Sequence, residues 1–218
     1  MNVNSFAYID IICVIASSLI GAAHHKSVDI NGRVVIAFLL FSCLTEIVTQ
    51  TIFLLHGNKA PVFHFSAIVN FLIVTIYFIK TITVAKESLF ILLALVILPL
   101  TSILNTVYLQ PINNPNTNIL VLRSFCIIAM ALIALYKMLI DDTIARVTLY
   151  PHFYFWGFLL MMHTGTFFFW GLLLIIAKEN KQYLPLIQYI QGSINALVYL
   201  GMGLTFLLYR KRALYERQ

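Results

Sequence analysis

Hydrophobic positions run along this chain in seven long stretches, each nearly continuous rather than striped. They predict helices over about 5–23, 34–55, 62–82, 88–108, 119–140, 153–177 and 185–209. Each stretch is close to the roughly 20 residues that a helix needs to cross the hydrocarbon core of a bilayer. In lipid, backbone polar groups must be satisfied within their own segment, so helices are the expected solution. The breaks carry the matching chemistry. Pro61, Pro151 and Pro185 stand at or just before helices three, six and seven, where a missing N–H costs little. QPINNPNTN, Gln110 to Asn118, cannot continue a helix. Pro99 falls inside helix four and predicts a kink that frees the Leu95 carbonyl. The fold expected is an all-α, seven-transmembrane-helix bundle forming a single integral membrane domain over residues 1–218, without an internal repeat or a soluble domain.

Composition narrows the class further. Of 218 residues, 61% are hydrophobic and 10% charged, with a mean hydropathy of +0.93. A soluble domain carries about 25% charged residues, so this chain could not cover its surface in water. The sparse charges give a direction. Lys26, Arg33, Lys80, Lys86, Lys137, Arg146, Arg210, Lys211, Arg212 and Arg217 fall on one side of the seven spans, and Lys59, Arg123, Lys178 and Lys181 on the other. The positive-inside rule then places the N-terminus outside and the C-terminus in the cytoplasm. The net charge of +6 is scattered over short loops and the tail, which excludes a nucleic-acid-binding domain. MNVNSFAYID lacks a basic n-region, so the first stretch is expected to be a retained helix rather than a cleaved signal. Cys13, Cys43 and Cys126 lie in apolar runs without metal spacing and read as small buried residues. No cofactor is implied.

Against this background the intramembrane polar residues stand out. In FLLFSCLTEIVTQTIFLLH, Phe38 to His56, Glu46 sits mid-span, with Thr49 and Gln50 continuing its face. Asp10 lies about 7–8 Å into helix one from its outer end. Below it, Cys13, Ser17 and Gly21 form a small-residue stripe suited to close helix packing. Helix three brings His64, read as interfacial, and Asn70. Helix four ends on Asn105, and helix five begins with Arg123. Helix six carries His163 between Trp156 and Trp170, and helix seven a stripe of Gln188, Gln191 and Asn195 that continues into Tyr199 and Met202. Nearly all the polar groups lie from the midplane outward, whereas the cytoplasmic halves read as nearly pure hydrocarbon apart from snorkelling Lys80 and Lys137. An ionisable group at membrane depth costs about 2.5–3.5 kcal/mol, so such groups face the bundle interior or water. The expectation is a polar cavity open to the outside. Asp10, Glu46, Asn70, Arg123, His163, Gln188, Gln191 and Asn195 would line it, Glu46 and Arg123 would be its central pair, and Trp156 and Trp170 its walls.

Known seven-helix classes do not fit these residues. Retinal proteins need a lysine mid-way along the last helix, and Leu186 to Tyr209 has none. The HxxxH pair of seven-helix zinc hydrolases, the GxS of rhomboid-type proteases and the helix-end motifs of G-protein-coupled receptors are missing too. CLTEIVTQ, GNKAPVFHF and FYFWGFLLMMHTGTFFFW resemble a group of uncharacterised small seven-helix bacterial membrane proteins. That resemblance implies a fold and a multi-pass location in the cell membrane, suited to a bacterial inner membrane, but no activity. The functional expectation is a small ligand or ion bound in the polar cavity by a receptor-like sensor or transporter, with a partner protein reading DDTIARVTLYPH on the cytoplasmic side. The alternatives are an accessory subunit of a membrane complex and, less favoured, an enzyme using a carboxylate and a histidine on a lipid or quinone-like substrate.

Overall fold

The computed structural model of the protein describes residues 3–82, 88–141, 147–179 and 181–215. Lys86, Arg146 and Arg217, the side chains of Lys178, Lys181, Arg210, Lys211 and Arg212, and residues 142–146 of the loop before helix six lie outside the described residues. All seven expected helices are present, and among the described residues there are no strands. They are α1 (Val3–Ala23), α2 (Ile30–His56), α3 (Ala60–Thr81), α4 (Ser88–Leu104), α5 (Thr117–Ile140), α6 (Pro151–Glu179) and α7 (Leu184–Tyr215). Five are long and apolar enough to cross a membrane: α2, α3, α5, α6 over Pro151–Leu173 and α7 over Leu184–Tyr209. α1 and α4 add shorter apolar stretches, Ile9–Ala23 and Leu95–Leu109. Leu19, Leu54, Phe65, Leu139 and Leu197 point outward and are exposed. Such a surface suits hydrocarbon, not water, and the protein is a multi-pass integral membrane bundle.

Local chemistry sets the helix ends. α2 starts at Ile30, about four residues before its apolar stretch, because the Asp29 carboxylate caps it by accepting the Gly32 N–H at 2.7 Å. It stops at Gly57, whose φ of 69° is the left-handed conformation that glycine adopts without strain, and whose N–H donates to the Phe53 carbonyl at 2.8 Å. α4 runs through Pro99 and opens into a wide π-turn over Asn105–Leu109, closed by the Gln110 N–H on the Asn105 carbonyl at 2.7 Å. Amides then knot the following loop: Asn105 Nδ2 donates to Asn116 Oδ1 at 2.8 Å, and Gln110 Nε2 to Thr117 Oγ1 at 2.6 Å. His64 joins this knot, with one ring nitrogen 2.8 Å from Thr106 Oγ1 and the other 3.0 Å from the Asn114 carbonyl.

α1 packs on α2 and α7, α2 on α3, α3 on α5, α5 on α6 and α6 on α7. Six helices therefore close a ring, and α4 leans on α3 and α5 from outside it. In lipid there is little hydrophobic drive between helices, so close van der Waals fit and interhelical hydrogen bonds hold the ring. The small-residue stripe of α1 supplies both. Ser17 is fully buried and donates to the Tyr199 carbonyl at 2.6 Å. Opposite it, a Cβ on Gly203 would stand 3.0 Å from the Ser17 Cα.

Candidate functional site

The bundle has two faces: the one where α1 begins, called here the N-terminal face, and the opposite one. In the half toward the opposite face, Val34, Val35 and Phe38 from α2, Ile73, Val74 and Tyr77 from α3, Leu159 from α6 and Met202 from α7 line a small apolar pocket with room for about one water, a layer called here the plug. Helical periodicity decides what lies above it. One turn toward the N-terminal face, Phe38 gives way to Ser42 and then Glu46, Val74 to Asn70, Leu159 to His163, and Met202 to Tyr199 and Asn195. The stripes that build the plug turn polar together and form a polar tier.

Within that tier the contacts are specific. Asp10 lies close to Asn195 and within electrostatic range of Glu46. Gln191 Nε2 donates to Asn195 Oδ1 at 3.1 Å and to Thr166 Oγ1 at 3.3 Å, tying α7 to α6. The Tyr199 hydroxyl lies close to Ser42 and within electrostatic range of Glu46, Asp10 and Arg123. His163 lies within electrostatic range of Arg123, with its Nδ1 3.5 Å from Ser124 Oγ. Among the described residues eight buried side-chain polar atoms have no hydrogen-bond partner: Ser18 Oγ, Asn116 Nδ2 and Trp156 Nε1 lie elsewhere, and Asp10 Oδ1, Thr49 Oγ1, Asn70 Oδ1, Arg123 Nε and His163 Nε2 lie on five helices from mid-bundle toward the N-terminal face. Native proteins leave few such groups, each costing about 1–3 kcal/mol.

The structure thus gathers Asp10, Glu46, Arg123, His163, Gln191 and Asn195, while Asn70 stands over the plug on its own stripe. Three placements differ from expectation. Glu46 and Arg123 form no ion pair: α3 lies between α2 and α5 in the ring, and the cation in range of Glu46 is Lys59 from the α2–α3 loop. Gln188 is exposed near the start of α7, one turn above the half-buried Gln191 and Asn195. Trp156 belongs to the other half of the bundle, stacked on Tyr77 at 4.8 Å and edge-on to Phe78. Trp170 remains on the polar side, packed on Ala67, Ile119 and Leu120 and edge-on to Phe63 at 6.1 Å. Sequence reasoning missed Tyr199 as the hub. Its position four residues after Asn195 was the available signal, but a tyrosine on an apolar face reads as core.

A second polar group lies toward the opposite face, where the helices were expected to be hydrocarbon. His152, fully buried near the start of α6, has Nδ1 2.8 Å from the Tyr77 hydroxyl and Nε2 2.9 Å from Asp29 Oδ2. The Tyr209 hydroxyl donates to Asp29 Oδ1 at 2.9 Å, so α2, α3, α6 and α7 are joined at one point. Burial alone would push the Asp29 carboxyl up. The hydrogen bond from His152, with those from Gly32 and Tyr209, holds it at about 2 instead of 3.8. Among the described residues no three His, Cys, Asp or Glu side chains gather as a metal site. No protein family, curated protein or solved structure matches this chain.

Proposed function

We propose that this protein binds a small polar ligand in the tier above the plug and acts as a receptor-like membrane sensor, seated in a bacterial inner membrane with the N-terminal face outward. One observation carries the reading: of eight buried polar atoms without protein partners among the described residues, five come from five different helices and lie from mid-bundle toward one face. A bound molecule with several hydrogen-bonding groups would satisfy them together, whereas helix–helix assembly would have paired them with each other. The apolar plug beneath favours sensing over transport, because a translocation path would have to cross it. Inward-facing polar groups also favour an internal site over an accessory subunit that turns its polar faces to a partner.

Native mass spectrometry of gently extracted protein, together with melting temperatures in polar solutes, tests the reading. Wild type should retain or respond to a small molecule. Glu46→Gln and Arg123→Ala should lose the response while still eluting as folded protein. If both variants unfold instead, the tier holds the fold and not a ligand. Uptake into proteoliposomes would replace sensing by transport.

A further inference from the structure

The knot around the α4–α5 loop holds more acceptors than a neutral histidine can serve. His64, in the first turns of α3, is only 5% exposed. Its Nε2 lies 3.0 Å from the Asn114 carbonyl, which can only accept, so this nitrogen carries a hydrogen. Its Nδ1 lies 2.8 Å from Thr106 Oγ1. That hydroxyl has a single hydrogen, and donates it to the Ser102 carbonyl at 2.9 Å. Three short contacts therefore need three hydrogens. A neutral imidazole brings one and the threonine another. Either Nδ1 then faces the hydroxyl oxygen with no hydrogen between them, or the hydroxyl turns to Nδ1 and deserts the Ser102 carbonyl. An imidazolium brings two hydrogens and fills all three contacts.

These contacts matter because of what surrounds them. α4 leans on α3 and α5 from outside the ring, and it ends in the π-turn that carries Thr106. Phe65 and Ile68 of α3 face Ile103 and Val107 across an open groove of about 230 Å³ beside His64, so apolar packing does not close this end of α4 onto α3. The loop beyond is tied back by the Asn113 carbonyl, which accepts from Asn58 Nδ2 at 3.1 Å. No carboxylate lies on α3, on α4 and its π-turn, or in the loop over 110–116. Lys59, just before α3, stands over the Phe53 and Phe63 rings and in range of Glu46 of α2. Tyr108 of the π-turn is exposed, and Arg123 of α5 is in range of His163 and Tyr199. What favours a proton on His64 is therefore hydrogen bonding to the charged ring, not an ion pair.

We infer that His64 is a proton-binding site. Protonated, it clamps the π-turn of α4 and the α4–α5 loop onto α3, and the clamp loses one hydrogen bond when the proton leaves. This is independent of the ligand reading above.

Melting of purified full-length protein is followed by circular dichroism in one detergent from pH 5 to pH 8, above the range in which Asp29 titrates. Wild type, His64→Gln and Thr106→Val run side by side. The clamp contributes in full below about pH 6.5, where an ordinary histidine is protonated, and its contribution fades as pH rises past that value. From pH 8 to pH 5 wild type should gain about 3 °C or more over His64→Gln, the scale of one hydrogen bond to a charge in a chain of this size. The subtraction cancels the other histidines. Thr106→Val removes the acceptor that only the imidazolium needs, so the gain should shrink by half or more. Parallel wild-type and His64→Gln curves overturn the inference. Where either variant fails to fold, nitrogen NMR of histidine-labelled wild type decides, with His64 assigned through its contact with Thr106. Both ring nitrogens should carry hydrogens at pH 5 and one should lose its own by pH 8; a ring already neutral at pH 5 overturns the inference.

Discussion

Replacing His152 by alanine removes the residue that joins four helices on the face opposite the polar tier, and the structure sets the size of the effect. The imidazole is fully buried, so its removal leaves a cavity; large-to-small substitutions at such sites cost about 2 kcal/mol at the least. The Tyr77 hydroxyl loses its 2.8 Å partner. An orphaned buried hydroxyl costs about 1–3 kcal/mol, and the low end is used here because the neighbouring cavity gives the hydroxyl room to turn. The 2.9 Å bond to Asp29 involves a charge and would be worth about 1.5–3 kcal/mol if fully buried. The Asp29 side chain is 43% exposed, so water replaces much of the loss and about 1 kcal/mol is the better figure. The sum is about 4 kcal/mol, equivalent to a fall in melting temperature of roughly 8–16 °C for a chain of this size. Thermal unfolding in one detergent at pH 7, followed by circular dichroism and by size-exclusion survival, measures it. Tyr77→Phe, which keeps the ring and removes only the hydroxyl, should cost about a quarter as much. A His152→Ala protein melting within about 3 °C of wild type would show that the four-helix junction is incidental to stability.

Asp29 ties the same junction to pH: its folded-state carboxyl sits at about 2, below the ordinary 3.8, so its stabilisation is complete above about 4 and is lost as pH falls toward 2. Melting temperature should fall through that window in wild type and less steeply in Asp29→Asn, and parallel curves would refute the assignment. Gly32→Ala would drive a methyl into Val28 and the Tyr209 hydroxyl, displacing Tyr209 from Asp29 at a cost of about 1–3 kcal/mol; an unchanged melting temperature would count against the contact. Gly203→Ala places a methyl 2.8 Å from Ser17 Oγ and 3.0 Å from its Cα, so α1 and α7 must part. Its cost should exceed that of Gly171→Ala, where nothing lies within 4 Å, and equal melting of the two variants would argue against close α1–α7 packing.

The helices were legible because their signal is local: an apolar run of spanning length has one stable backbone solution in lipid, whatever its neighbours do. Asp29 could have been read as a cap from its position just before such a run, as Gly57 could as a stop. Depth was legible too, since 1.5 Å per residue places Glu46, His163 and Asn195 along their helices from sequence alone. Azimuth was not. Whether Glu46 meets Arg123 depends on which helices neighbour in the ring, and α3 stands between them. The Asp29–His152–Tyr209 junction was invisible for the same reason: Asp29 and His152 are 123 positions apart, Asp29 and Tyr209 are 180, and each alone reads as an ordinary end-of-helix residue. By itself, then, the sequence determined the membrane as solvent, the seven helices and the depth of each polar group, because these follow from residue solvation and the rise of one helix. Only tertiary structure decided which polar groups share an interior, that Tyr199 is their hub, and that a hydrogen-bonded junction stands on the far side of the plug. Those depend on how helices order around the ring, a property of packing between segments and not of any one segment.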